Sequence, residues 1–269
     1  MKGPKMNVNG KVAIVTGAGG DGCGRAIACR LARKGAAVVV ADLRDLGVRD
    51  TVNAIEAEGG RTAGVPTDVG NEADVRALFE FAEQTFGGVD IVVNDASGAV
   101  VPETSLDHWF ANLRVDMLGG MYGTRYGIES MRRRGGGAIV NIGSTSALPH
   151  GGRLSKAPGY DAAKAGIIRL TTCLAYLAEA EGIHVNCLVP HWIGTPHIAA
   201  FVATLTPELR REWSVPDVLI TPDEIAGAVL RLATDRNLAG RVLVWWGGQP
   251  PRLIAVGDPG FASLEAMEL

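Results

Sequence analysis

Short apolar runs alternate with longer segments of helical periodicity along this chain. Val12 to Val15 and Ala37 to Ala41 are nearly pure β-branched residues or alanine, as strands covered on both faces require. Similar runs recur at Thr62 to Val65, Ile91 to Val93, Ala138 to Ile142, His184 to Val189 and Val242 to Trp245. Between them the spacing predicts helices over Arg25 to Lys34, Leu46 to Glu58, Asn71 to Phe86, Leu106 to Arg133, Tyr160 to Ala180 and Asp223 to Ala233. Thr221 and Pro222 before Asp223 and Glu224 are a helix-entry signal. Alternating strands and helices imply parallel strands joined by right-handed crossovers. The expectation is an α/β fold: a doubly wound, seven-stranded parallel sheet with helices on both faces. It forms a single domain over residues 1–269. Such sheets bind ligands at the carboxyl ends of their strands, near the switch point.

Composition removes several function classes. The formal net charge is −3, with acids and bases scattered, so no clustered basic face awaits a nucleic acid. The one basic knot, Arg132-Arg133-Arg134, falls where a helix should end, and cations suit the helix dipole there. Cys23, Cys29, Cys173 and Cys187 have no close paired spacing and read as small core residues in a reducing compartment, neither disulfides nor a metal site. The start, MKGPKMNVNGK, lacks the apolar core of a signal peptide, and no run reaches membrane-spanning length. A soluble, cytoplasmic protein is expected.

Candidate chemistry begins at "TGAGGDGCGRAIA", residues 16–28, with five glycines in eight residues between the first strand and the first helix. Backbone amides and the helix dipole there favour an anion, and glycine lets the backbone touch a pyrophosphate. Asp42 ends the second strand, placed to take both hydroxyls of an adenosine ribose and to repel a 2′-phosphate. Arg44, two residues on, leaves room for a phosphorylated ribose. Asp68 and Val69 follow the third strand, where a polar group can hold an adenine amino group. Tyr160 and Lys164 stand four apart on a predicted helix and can flank one pocket, the cation favouring the phenolate. Ser144 ends the fifth strand with a hydroxyl able to polarise a substrate oxygen, and Thr145 and Ser146 offer neighbouring hydroxyls.

The segments "TGAGGDGCG", "ADLR", "TDV", "NDAS", "NIGS", "YDAAK", "HVNCLVPHWIGT" and "LVWWGG" together resemble the short-chain dehydrogenase/reductase family over nearly the whole chain. The resemblance implies a Rossmann-type domain that binds NAD or NADP and moves a hydride between nicotinamide and an alcohol or carbonyl. It implies Tyr160 as acid/base, Lys164 as its activator and ribose holder, and Ser144 as the residue orienting the substrate oxygen. Gly17, Gly22, Gly24, Asp42, Asp68, Val69, Asn94, Ala96, Pro190, Ile193 and Thr195 match cofactor positions, and Asn186 a structural one.

The departures are specific. One residue, Gly20 or Asp21, is extra in the glycine turn. Asp116, seven positions after Trp109, stands where relatives have a catalytic asparagine; an aspartate there either replaces that relay residue or pairs with Lys164. Asp95 and Ser97 depart from N-N-A-G, and His191 follows Pro190 in place of glycine. The loop between Ser144 and Tyr160 is longer than usual, which makes His150, with Thr145, Ser146, His191 and Trp192, a candidate substrate neighbour. An amphipathic insertion at about 195–217 reads as a lid with Ile198, Phe201, Val202 and Leu205 on its apolar face, and a tail at about 247–269 extends beyond the usual end.

These features predict an oxidoreductase that prefers NAD, with NADP less suited, acting on a small apolar secondary alcohol or its ketone as a homotetramer. Two alternatives stay open: a lyase or epimerase step on the same cofactor, and NAD binding without turnover.

Overall fold

The computed structural model describes residues 5–98, 106–148 and 157–257. The apolar runs become β1 (Val12–Thr16), β2 (Ala37–Asp42), β3 (Arg61–Pro66), β4 (Ile91–Asn94), β5 (Gly137–Ile142), β6 (Ile183–Pro190) and β7 (Val242–Trp245). All seven are parallel, in the order β3-β2-β1-β4-β5-β6-β7. One strand exceeds the expected count: β8 (Arg252–Leu253) pairs antiparallel with β7. It is supplied by the start of the tail, which turns back through a hydrogen bond from Trp245 Nε1 to the Gln249 carbonyl, 2.9 Å.

The two-residue period of the strands divides the core. Ala13, Val15, Val38 and Val40 face one apolar layer; Ile14, Val39 and Ala41 face the other. Ile27 and Leu31 of α1 (Cys23–Arg33), Val48 and Ile55 of α2 (Asp45–Ala57), and Ile225 and Leu232 of α10 (Pro222–Thr234) fill the first layer. Leu78 and Phe79 of α3 (Glu72–Phe86) and Met131 of α5 (Gly119–Arg134) fill the second. The strand order reverses between β1 and β4, opening a crevice at their carboxyl ends.

Two predicted helices are divided. The segment Leu106 to Arg133 forms α4 (Leu106–Asn112), a π-helical turn (Leu113–Leu118) and α5. The wide turn carries Asp116 inward, which a uniform helical period does not anticipate. The segment Tyr160 to Ala180 forms α6 (Pro158–Cys173) and α7 (Leu177–Glu181). Near the end of α6, Thr171 and Thr172 hydroxyls bond back to the Ile167 and Arg169 carbonyls, both at 2.9 Å, competing with continuation of the helix. The insertion forms α8 (Pro196–Ala203) and α9 (Pro207–Glu212). Helix α10 starts on a reciprocal cap between Thr221 and Glu224. The Arg132–Arg134 triplet does close α5, and its side chains pair with Glu181, Glu83 and Asp90. Cys23 and Cys187 are buried, whereas Cys173 is exposed and not the core residue expected.

Candidate active site

The glycine turn joins β1 to α1 at this crevice. Gly17 has φ +69°, and a Cβ there would lie 2.8 Å from the Ala96 backbone. At Gly24 a side chain would land on the Gly17 carbonyl, whereas at Gly22 it would meet only Thr195 Cγ2, 3.8 Å away. The turn is therefore tight at Gly17 and Gly24, crowded by Asp42 and Arg44 at Gly19 and Gly20, and open at Gly22. Asp21 projects into solvent and pairs with Arg25 one helical turn on, 3.3 Å, so the extra residue bulges outward.

Asp42 does more than face a ligand. Its Oδ2 accepts the Gly19 amide at 3.0 Å, and its Oδ1 accepts the Arg44 amide at 3.0 Å and Nε at 3.2 Å. Asp68 accepts the Gly70 amide and Arg114 Nη1, both at 2.9 Å, and Val69 packs buried against Gly119. Thr16 Oγ1 accepts the Asp95 and Ala96 amides at 3.1 and 3.2 Å, tying the loop after β4 to the glycine turn. Asn94, expected at the cofactor, directs its Nδ2 inward to Asn141 Oδ1 at 2.8 Å and Thr124 Oγ1 at 3.3 Å; it braces β4, β5 and α5. Asn186 is structural, its Oδ1 accepting the Arg241 amide at 3.0 Å. Burial, with Asp42 nearby, pushes the Asp95 carboxyl up to about 7 against the pull of Lys164 and the Gly24 amide.

Helix α6 presents Tyr160 and Lys164 on one face. Glycines allow its close approach: a Cβ at Gly159 would lie 2.5 Å from Trp109 Cα, and one at Gly166 would lie 2.6 Å from the Met117 sulfur. Lys164 Nζ donates to the Ile142 carbonyl at 3.1 Å, lies 5.4 Å from the Tyr160 ring centroid, and pairs with Asp116 Oδ1 at 3.0 Å. Both charged side chains are buried, at 4% and 0% exposure. Asp116 Oδ1 also accepts Ser97 Oγ at 2.6 Å, and Oδ2 accepts the Gly98 amide at 3.1 Å and Asn112 Nδ2 at 3.5 Å. A cavity of about 10 Å³, enough for one water, lies beside Lys164, Asp116, Thr16 and Val115.

Lys164 acts on the tyrosine in the expected direction, against burial and two acids. Burial pushes the Tyr160 phenol above its ordinary value; Lys164 and a hydrogen bond from Ser144 pull it down, but Asp116 and Asp161 oppose them. Lys164 therefore does not leave the phenol acidic overall. Burial also draws the Lys164 ammonium down, but Asp116, Tyr160 and Asp95 outweigh it and hold the pKa above its ordinary value.

Ser144 follows β5 and caps a 3₁₀ turn, its Oγ accepting the Ser146 amide at 3.2 Å and meeting Ser146 Oγ at 3.0 Å. Thr145 is buried, so Ser144 and Ser146 are the hydroxyls open to the crevice. His150 lies outside the described residues. Pro190 ends β6; the His191 amide bonds to the Trp245 carbonyl at 2.8 Å. His191 Nδ1 is buried with no hydrogen-bond partner among the described residues, and burial draws the imidazole below its ordinary pKa. The Trp192 carbonyl accepts the Ile220 amide at 3.1 Å, and Ile193 bridges to Ile220, fixing the start of the insertion. Thr195 Oγ1 accepts the Ile198 amide at 3.3 Å, capping α8. Phe201 stacks on Trp213, with centroids 5.6 Å apart. Ser97, in the sequence only a departure from a motif, and Asn112, which no motif marks, both converge on Asp116.

A family model described as Enoyl-(Acyl carrier protein) reductase matches residues 17–248. Among curated proteins, the chain is 34% identical over 245 residues to a cis-4-hydroxycyclohexanecarboxylate dehydrogenase from Sinomonas cyclohexanicum, covering 88% of this chain and 96% of that one. It is likewise 34% identical over 231 residues to a cyclohexanol dehydrogenase from Acinetobacter sp. (strain SE19), covering 84% and 89%. A crystal structure of a short-chain dehydrogenase/reductase from Burkholderia xenovorans superposes with a TM-score of 0.79 at 32% identity, covering 88% of this chain and 95% of that one. The chain belongs to the short-chain dehydrogenase/reductase family. It is an oxidoreductase of a family that uses nicotinamide cofactors. The site fits such a cofactor: the glycine turn is open at Gly22, at the start of α1, where a pyrophosphate would meet backbone amides, and Thr195 faces it across the crevice. No helix among the described residues is long and apolar enough to cross a membrane.

Proposed function

We propose that this enzyme interconverts an apolar secondary alcohol and its ketone, with NAD preferred over NADP. The observation that carries this reading is the convergence of Tyr160, Ser144 and buried Lys164 at the carboxyl end of β5, beside the glycine turn. The nicotinamide supplies or accepts the hydride. Tyr160 Oη gives its proton to the carbonyl oxygen in reduction and accepts one in oxidation. Ser144 Oγ donates to that oxygen and Lys164 holds the nicotinamide ribose. Gly17, Gly22 and Gly24 admit the pyrophosphate, Asp68 and Val69 border the adenine, and Ile193 and Thr195 hold the carboxamide.

Asp42 supports NAD: a 2′-phosphate would bring negative charge beside a carboxylate already fixed by Gly19. Arg44 tempers that selectivity without removing it, since its guanidinium pairs with Asp42. Trp192, Ser146 and His191 border the substrate, and α8 and α9 close over it as a lid. Relatives named for cyclohexanol and for a hydroxycyclohexanecarboxylate support a ring alcohol as substrate. Unbridged cysteines support a cytoplasmic setting.

The test is reduced-nicotinamide absorbance with NAD and NADP over a panel of open-chain and ring alcohols. Turnover of ring alcohols with NAD, shifted toward NADP by Asp42→Ala, is expected. Silence across the panel at neutral and at alkaline pH, with cofactor bound, would overturn the reading.

A further inference from the structure

The buried partner of Lys164 changes what the tyrosine can do. Lys164 Nζ has Asp116 Oδ1 at 3.0 Å and the Ile142 carbonyl at 3.1 Å. Asp116 is not a passing contact: Ser97 Oγ, the Gly98 amide and Asn112 Nδ2 fix both its oxygens, and its side chain is fully buried. The groups acting on the pair Tyr160–Lys164 come from four elements: Asp161 on α6, Ser144 after β5, Asp116 on the π-helical turn and Asp95 after β4. Three are acids and one is a hydroxyl. An ammonium facing a fixed carboxylate at ion-pair distance presents little net charge to a third group.

We propose that Asp116 neutralises Lys164 and so keeps Tyr160 a protonated phenol at rest, setting the enzyme as a proton donor for carbonyl reduction and confining alcohol oxidation to alkaline pH. In the reductive step the carbonyl carbon takes a hydride, two electrons and a proton, from reduced nicotinamide. The former π pair goes to oxygen, which takes the Tyr160 proton. The tyrosinate recovers its proton from water. Asp116 is a positioning residue here, acting through Lys164, and the inference rests on the dehydrogenase reading for its chemistry.

Titration of the phenol needs neither cofactor nor substrate. The chain has four tyrosines, so tyrosinate absorbance against pH, differenced against Tyr160→Phe, isolates one of them. In the wild type Tyr160 should ionise above the ordinary value of about 10. In Asp116→Asn, which keeps size and an acceptor oxygen, it should ionise about one unit lower or more. The alkaline rise of alcohol oxidation should move down by the same amount. An unchanged titration, or a wild-type phenol that ionises below about 10, overturns the proposal. If the variant does not fold, a wild-type phenol that ionises below about 10 still overturns the proposal, and Ser97→Ala, which removes one hydrogen bond holding Asp116, should shift the Tyr160 titration if Asp116 sets it. Failure of the dehydrogenase reading shows separately, as absence of wild-type turnover in either direction.

Discussion

Asp95 occupies a position where the sequence comparison showed only a departure from N-N-A-G, yet burial beside the glycine turn gives it a titration near neutrality. Below about 7 it is a neutral acid, and above that a carboxylate close to where a pyrophosphate must lie. NAD affinity should therefore weaken as pH rises through about 7, with proton uptake on binding above it. Calorimetry in two buffers of different ionisation heat reads that uptake, and Asp95→Asn should abolish it. At Ser144, replacement by alanine removes one hydrogen bond to the developing oxyanion, and kcat/KM should fall about 10²–10³-fold with NAD binding intact. Residue identity was legible here wherever spacing along one helix or a strand end fixed it, as for Tyr160, Lys164, Ser144 and Asp42. The Ser97–Asp116–Lys164 chain was not, because it joins residues through a helical turn of unusual width.

At the scale of elements, the strands and the helix starts followed from apolar runs and caps. The Asp90 knot did not. Its carboxylate accepts the Val12 amide at 2.9 Å and pairs with Lys11 and Arg134, both at 3.1 Å, joining the starts of β1 and β4 to the end of α5. Burial raises its pKa, but these hydrogen bonds and cations outweigh burial and leave it below the ordinary range. A lowered folded pKa stabilises above the unfolded value of about 3.9, and that stability disappears as pH falls through the folded value. Asp90→Ala should cost about 1–3 kcal/mol at pH 7, and its deficit relative to wild type should shrink in acid denaturation curves. Loss of the α10 cap in Thr221→Ala should cost about 1 kcal/mol, read from the urea midpoint. The two breaks in the predicted helices have different origins: the inward Asp116 answers a tertiary demand, whereas the back-bonded threonines compete locally for helix carbonyls.

For the whole molecule, the alternation of strands and helices specified the doubly wound sheet; among the described residues, the edge strand β8 alone went unpredicted, because Arg252 and Leu253 are too few to show a period. Phe110, Leu118 and Met121 stand exposed along α4, the π-helical turn and α5. We propose that this apolar row is a contact between subunits of the expected homotetramer; a charge at Met121 should then lower the mass measured by light scattering. The central claim is that Tyr160 moves the proton while a nicotinamide exchanges the hydride. The direct measurement is ketone reduction followed at the reduced-nicotinamide band for wild type and Tyr160→Phe, with cofactor affinity measured alongside. A fall in kcat of about 10²–10⁴-fold with unchanged affinity is the predicted result. Equal turnover by both proteins would contradict the account.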